Sequence, residues 1–285
     1  MNYPYERLMK LHGADDLKEL INKWEILSRN IKSRPVDAPV LLPDIFLYTK
    51  PGFGNESLLR LLASYLESKG NLMDFYGDVK YHEFMLNYIK PDEPFSEMHR
   101  LIDEISMAAG FRSEFRGILR ININEWIGHH EDKHFINLLD YLSANSDKWL
   151  IVLSVSRSPN EGTKAMEALI SMYLRIETVT LHMPGTDVLL SDVSAFLDAY
   201  GLSLDESGNT LLKESIDKLR KNKYFDGFHT IRLLSRDIVY YHFSLPDCGR
   251  TVLSAEDLSD FSATSDYMQR TIVKYEQNRK LGFAE

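Results

Sequence analysis

Ile45-Phe46-Leu47-Tyr48-Thr49-Lys50-Pro51-Gly52-Phe53-Gly54-Asn55-Glu56-Ser57 is the stretch that decides the fold. Its first five residues are apolar and bounded by Pro43-Asp44 before and Pro51-Gly52 after, the pattern of a strand buried on both faces. A glycine-containing loop follows. Residues 57–67 are then rich in helix formers, with Gly70 where a helix commonly stops. The unit reads strand, glycine loop, helix.

A loop of the form GxxGxGK followed by Ser or Thr binds phosphate because its glycines let backbone amides approach anionic oxygens, its lysine neutralises them and its hydroxyl holds magnesium. Gly52 and Gly54 keep the scaffold, while Asn55 stands in the lysine position and Glu56 in the first hydroxyl position. A carboxylate at Glu56 would face a triphosphate at the helix N-terminus, where like charges repel strongly at reduced dielectric; its benign reading is capping of the helix dipole. Lys50, earlier in the loop, and Ser57, one position late, are the residues able to compensate. Without ligand, the loop from Gly52 to Glu56 is expected to hold water, Lys50 or the Glu56 side chain.

The alternation continues outward. Strands are expected near 80–84, 118–123, 150–155 and 178–182, and helices over 15–31, 96–109 and 133–143. Strands alternating with helices of this length indicate right-handed crossovers and a parallel sheet of about five strands flanked by helices. After Met183-Pro184-Gly185 the pattern turns helical, over 188–200, 210–221 and 227–243, with a helix start at Ser254-Ala255-Glu256-Asp257-Leu258 and a last helix over 266–279. The expected organisation is therefore α/β: an N-terminal helical segment at 1–34, a P-loop domain at 35–184 and a smaller all-helical lid at 185–285.

A chain of 285 residues, 44% of them hydrophobic, can bury a full core. The formal charge of -9 argues against a surface built for nucleic acid or anionic lipid. Cys248 is the single cysteine, which excludes an internal disulfide and suits a reducing compartment. MNYPYERLMK leads into an amphipathic stretch rather than a signal sequence, and the longest apolar runs are far short of the roughly 20 residues of a membrane span. The expected location is the cytoplasm.

The loop with its flanks resembles the AAA+ family of P-loop ATPases, whose loop usually reads GPPGTGK followed by Thr or Ser. The leading helix over 11–30, the linker and the strand Ile45 to Thr49 follow that family's order, and the resemblance covers most of residues 10–245. It implies a second, acidic motif: four apolar residues, an aspartate for the metal-bound water and a glutamate that polarises the attacking water. Here the stretch is Gly117-Ile118-Leu119-Arg120-Ile121-Asn122-Ile123-Asn124-Glu125-Trp126. Whether the metal position falls at Asn122 or Asn124, an amide offers hard magnesium one neutral carbonyl. A motif ending Asn124-Glu125 keeps Glu125 as catalytic base; one ending Asn122-Ile123, the favoured register, loses it. The resemblance further implies Ser156 as the polar sensor, Arg175 as an arginine acting on a neighbouring subunit and Arg232 as the lid's arginine sensor. It also marks Tyr88 as the pore-loop residue, although Lys90 and Pro91 depart from the pattern and a packed loop anchor is the favoured reading.

Other features read as structure. The run His129-His130-Glu131-Asp132-Lys133-His134 is a solvated helix start before it is a metal site, and Trp24, Trp126 and Trp149 are packing residues. Two independent motifs have lost the groups hydrolysis needs. The leading expectation is a pseudo-ATPase acting as a regulatory or scaffolding module that engages protein partners or self-associates, requiring no cofactor and binding ATP or ADP with magnesium weakly at most. The alternatives are an active but divergent ATPase that remodels proteins through Lys50, Ser57 and Glu125, and an inactive subunit that completes another chain's site through Arg175.

Overall fold

A computed structural model describes residues 3–34, 42–50, 52–69, 80–88, 97–109, 117–146, 148–221, 225–246 and 248–259. Pro51, Gly70, Lys90, Pro91 and the last helix expected over 266–279 lie outside the described residues.

The chain divides into two compact units, one formed by Met1–Pro51 and Asn55–His182, the other by Gly52–Gly54 and Met183–Glu285. In the first, β1 (Asp44–Tyr48), β2 (Lys80–Met85), β3 (Gly117–Asn122), β4 (Trp149–Val155) and β5 (Ile176–Thr180) form a sheet in the order β2-β3-β4-β1-β5, every neighbouring pair parallel. β1 and β4 are buried at every position. That burial is why they read as continuous apolar runs rather than as an alternation.

Phe46, Tyr48, Leu119, Ile121, Ile151 and Leu153 line one face of the sheet. They form a core with Leu101 and Ile105 of α4 (Glu97–Ala109), Phe135 and Leu138 of α5 (Lys133–Ala144), and Met166 and Ile170 of α6 (Glu161–Ile170). α2 (Asp15–Lys32) packs by β5, and α3 (Asn55–Ser68) by β2 and β3. The N-terminal helices belong to this unit. α1 (Tyr3–Met9) lies on α3, where the Tyr5 and Tyr65 rings are 6.1 Å apart, and the Tyr65 hydroxyl donates to Glu25 at 2.7 Å. Gly13, at φ +74°, accepts from the His182 amide at 2.7 Å, and a Cβ there would stand 1.9 Å from the His182 carbonyl oxygen.

The second unit holds α7 (Thr186–Asp198), α8 (Glu206–Arg220), α9 (Gly227–Ser244) and α10 (Ala255–Ser259) around Leu189, Val193, Leu212, Ile216, Ile231 and Ile238. It also has a two-residue parallel ladder, β6 (Ser203–Leu204) with β7 (Val252–Leu253), which the helical pattern did not announce. Among the described residues no helix is long and apolar enough to cross a membrane.

Candidate functional site

In a parallel sheet the crevice at the carboxyl ends of the strands is where ligands bind. β3, β4 and β1 are adjacent, so the residues following them meet there. Thr49, buried, leaves β1 with its amide donating to the Val155 carbonyl of β4 at 3.0 Å. Its hydroxyl donates to the Asn55 side-chain oxygen at 2.5 Å. The Asn55 side chain is thereby folded back onto the end of β1, and its carbonyl oxygen is already engaged.

Glu56 stands in the first turn of α3, where its charge faces the helix dipole. It does not fill the loop: its Oε1 accepts from Arg60 Nε at 3.0 Å and Nη2 at 2.9 Å on the exposed side of α3. The reason is helical geometry, since residues four apart lie one above the other and a glutamate N-terminal to an arginine is the favourable order. Its negative charge remains near the helix N-terminus but is shared with a cation. Lys50 and Ser57 are exposed, flanking the loop on either side.

β3 ends at Asn122, whose register partner is Ser154. Its side-chain oxygen accepts from the Asn124 amide at 3.0 Å, a local turn of the kind asparagine favours. Asn124 in turn accepts from the Ser156 amide at 3.3 Å, just past β4. Asn122, Asn124 and Ser156 therefore form one hydrogen-bonded rim beside the Thr49–Asn55 pair. Asn124, Glu125 and Trp126 make a short 3-10 turn rather than extending the strand.

Glu125 is engaged away from this rim, where its Oε2 accepts from the Tyr88 amide at 3.0 Å. Trp126 Nε1 donates to the Asn87 carbonyl at 3.3 Å. The Tyr88 ring stacks on His129 with centroids 3.8 Å apart and meets Trp126 edge-on at 5.1 Å. Tyr88 is a half-buried anchor for the segment after β2.

Arg175 precedes β5 at the amino edge of the sheet, exposed, with its carbonyl accepting from the Asp44 amide at 2.8 Å. A five-residue strand of roughly 16 Å separates that edge from the loop after β1, so Arg175 does not join the strand-end group of its own chain.

The second unit includes the loop glycines. The Gly52 carbonyl accepts from the Phe228 amide at 2.9 Å, in the first turn of α9. Gly52 (φ +77°) and Gly227 (φ +50°) meet backbone to backbone: a Cβ on Gly52 would lie 2.0 Å from the Asp226 carbonyl oxygen, and one on Gly227 would lie 2.4 Å from that of Gly52. Arg232, exposed, follows Phe228 by one helical turn on the same side of α9. Gly54 (φ +74°) is open all round, and Phe53 between them is half-buried.

The histidine run holds no metal cluster: among the described residues no group of three or more His, Cys, Asp or Glu is placed to hold one. Asp132 is instead the cap of α5, accepting from the His134 amide at 2.8 Å. Trp24, Trp126 and Trp149 are all buried. Sequence reasoning passed over Thr49 and Arg120 as site-adjacent polar residues; Arg120, an arginine inside an apolar strand run, was the available signal.

No protein-family profile matches the chain, and no curated protein matches it. Solved structures do. The Thermotoga maritima RuvB Holliday junction branch migration motor matches at 12% identity over 85% of this chain and 67% of its own, with a TM-score of 0.52. A point mutant of the same motor matches at 13% identity over 89% and 70%, with a TM-score of 0.54. PCH-2 of C. elegans matches at 15% identity over 88% and 68%, with a TM-score of 0.53. The strand order β2-β3-β4-β1-β5, the helices on both faces and these likenesses give the chain the AAA+ fold of P-loop ATPases.

Proposed function

We propose that this chain is a non-hydrolysing member of its fold, a pseudo-ATPase that serves as a regulatory or scaffolding module for protein partners. The observation that carries this is the state of the lysine position: Asn55 is neutral, short and bonded to Thr49, so no cation extends from the start of α3 toward a phosphate. Asn122 at the strand end supports it from a second motif, since its side chain is spent on the Asn124 amide and carries no charge for a metal. Glu125 is spent on Tyr88. A phosphate-release assay of the purified protein with ATP and magnesium tests this directly. No release above background is expected, and release that scales with protein and vanishes in a Gly54→Val control contradicts it.

One observation favours a second reading, an active but divergent ATPase. Lys50 and Ser57 are both exposed at the two ends of the loop, where a lysine reaching a phosphate and a hydroxyl reaching magnesium would be needed. In that case Lys50→Ala abolishes turnover. The exposed Arg175 at the far edge of the sheet suits action on another chain's site, and mixing with an active partner subunit would then raise that partner's rate.

A further inference from the structure

Arg120 is the only lysine or arginine buried among the described residues, and it sits inside β3, where a strand covered on both faces calls for apolar side chains. Residues of a strand alternate between faces, so Arg120 and Asn122 share one, with Cα atoms roughly 7 Å apart. In the sheet register Arg120 is opposite Glu83 of β2, while Asn122 is opposite Ser154 of β4. The guanidinium donates through Nη1 to Glu83 Oε1 at 2.5 Å and through Nε to Ser154 Oγ at 3.1 Å. The second contact fixes its height. Ser154 is the register neighbour of Asn122 and Glu83 that of Arg120, so the guanidinium spans the two levels, between its own Cα and the end of the strand. Glu83 is half exposed and also accepts from the Tyr81 hydroxyl at 2.8 Å, which ties the pair to the β2 side.

A guanidinium is always charged and is costly to bury unless paired. Cohesion between β2 and β3 does not require it, because an apolar pair of similar volume holds two strands at least as well. What an apolar pair cannot supply is a guanidinium near the strand end, which, bonded to Glu83 and Ser154, keeps further N–H donors for another acceptor. Although Glu83 balances its charge, those donors favour a carboxylate set beside them and disfavour a divalent cation there.

We propose, on the non-hydrolysing reading above, that Arg120 is a resident cation in place of the divalent metal, and that a carboxylate returned to position 122 pairs with its guanidinium instead of coordinating magnesium. Arg120 excludes metal independently of the loop changes at Asn55 and Glu56.

Asn122→Asp gives the direct test, because it leaves Arg120 in place and needs no nucleotide. In a carbon-13 NMR titration, the introduced carboxyl is expected to titrate at least about 1 pH unit below an ordinary aspartate, and to return toward it when Arg120→Met is added. Ordinary titration with Arg120 present overturns the proposal. A second arm uses calorimetry with ATP in the N55K/E56T/N122D background. Affinity there is expected to differ by less than about two-fold between magnesium and EDTA, and adding R120M is expected to make magnesium at least about ten-fold favourable. A ten-fold magnesium preference with Arg120 intact overturns the proposal; if no variant binds ATP, the titration alone decides. Turnover by the natural protein would sink the non-hydrolysing reading, whereas the titration would still report whether Arg120 captures the carboxylate.

Discussion

Asp44 is the residue with the clearest electrostatic signature. It opens β1, is buried, and accepts from the Ile151 amide at 2.9 Å. Burial pushes its carboxyl up to about 7, a rise the Ile151 hydrogen bond only partly offsets. Because the folded-state value lies above the unfolded one, the protonated form is favoured by folding. The associated stability is fully present below about pH 4 and is lost as pH rises through about 7. Asp44→Asn keeps an acceptor for Ile151 without the charge, so its stability relative to the natural protein is expected to grow by on the order of 2 kcal/mol between pH 5 and pH 8 in urea melts. A difference independent of pH contradicts this. Gly13 allows an equally local test: Ala there places a Cβ on the His182 carbonyl at positive φ, and a loss of about 2 kcal/mol or more is expected from chemical denaturation. At this scale the sequence marked out the loop and strand-end residues but not where they point. Asn55 was read as standing in the lysine position, while its bond to Thr49 depends on how the loop closes. Glu56 carried two readings, toward phosphate or with the helix dipole, and its pairing with Arg60 four residues on was left out of account.

At the scale of elements, the five strands were legible because buried parallel strands write themselves as short apolar runs between turn residues. β5 begins earlier than the run 178–182 suggests, since Ile176 and Glu177 are held in the ladder by β1 rather than by any apolar pattern of their own. α6 was not read at all. Its start lies in a polar stretch, and its signature is the reciprocal capping of Asn160 and Thr163: the Thr163 amide donates to Asn160 Oδ1 at 2.9 Å, and the Asn160 amide donates to Thr163 Oγ1 at 2.8 Å. Asn160→Ala is expected to cost about 1 kcal/mol and to speed hydrogen exchange in the first turn of α6 before it affects the sheet. The turn after β3 offers a sharper functional contrast. If Glu125 anchors the segment after β2, Glu125→Ala accelerates exchange of the Tyr88 amide, and Glu125→Gln, which keeps an acceptor, leaves it protected. If Glu125 is a catalytic base, both substitutions abolish turnover and neither needs to disturb Tyr88.

For the molecule as a whole, alternation of strand and helix specified the layers, and the glycine loop specified which strand is followed by the phosphate-type turn. The order β2-β3-β4-β1-β5 then places the Thr49, Asn122 and Ser156 positions together at one edge. The sequence could not show that the groups assembled there satisfy one another: Thr49 with Asn55, Asn122 with Asn124, Asn124 with Ser156, and Arg120 with Ser154. Each is a contact between residues of modest local signal, created by sheet register or loop closure. A site whose polar groups are internally bonded has less to gain from a ligand, because each new contact must first break an existing one. Calorimetric titration with ATP and magnesium, run on the natural protein and on a variant carrying Asn55→Lys and Glu56→Thr, tests this most directly. No heat of binding from the natural protein and measurable binding by the variant is the predicted result; tight binding by the natural protein, unchanged by restoring the loop, would contradict the account.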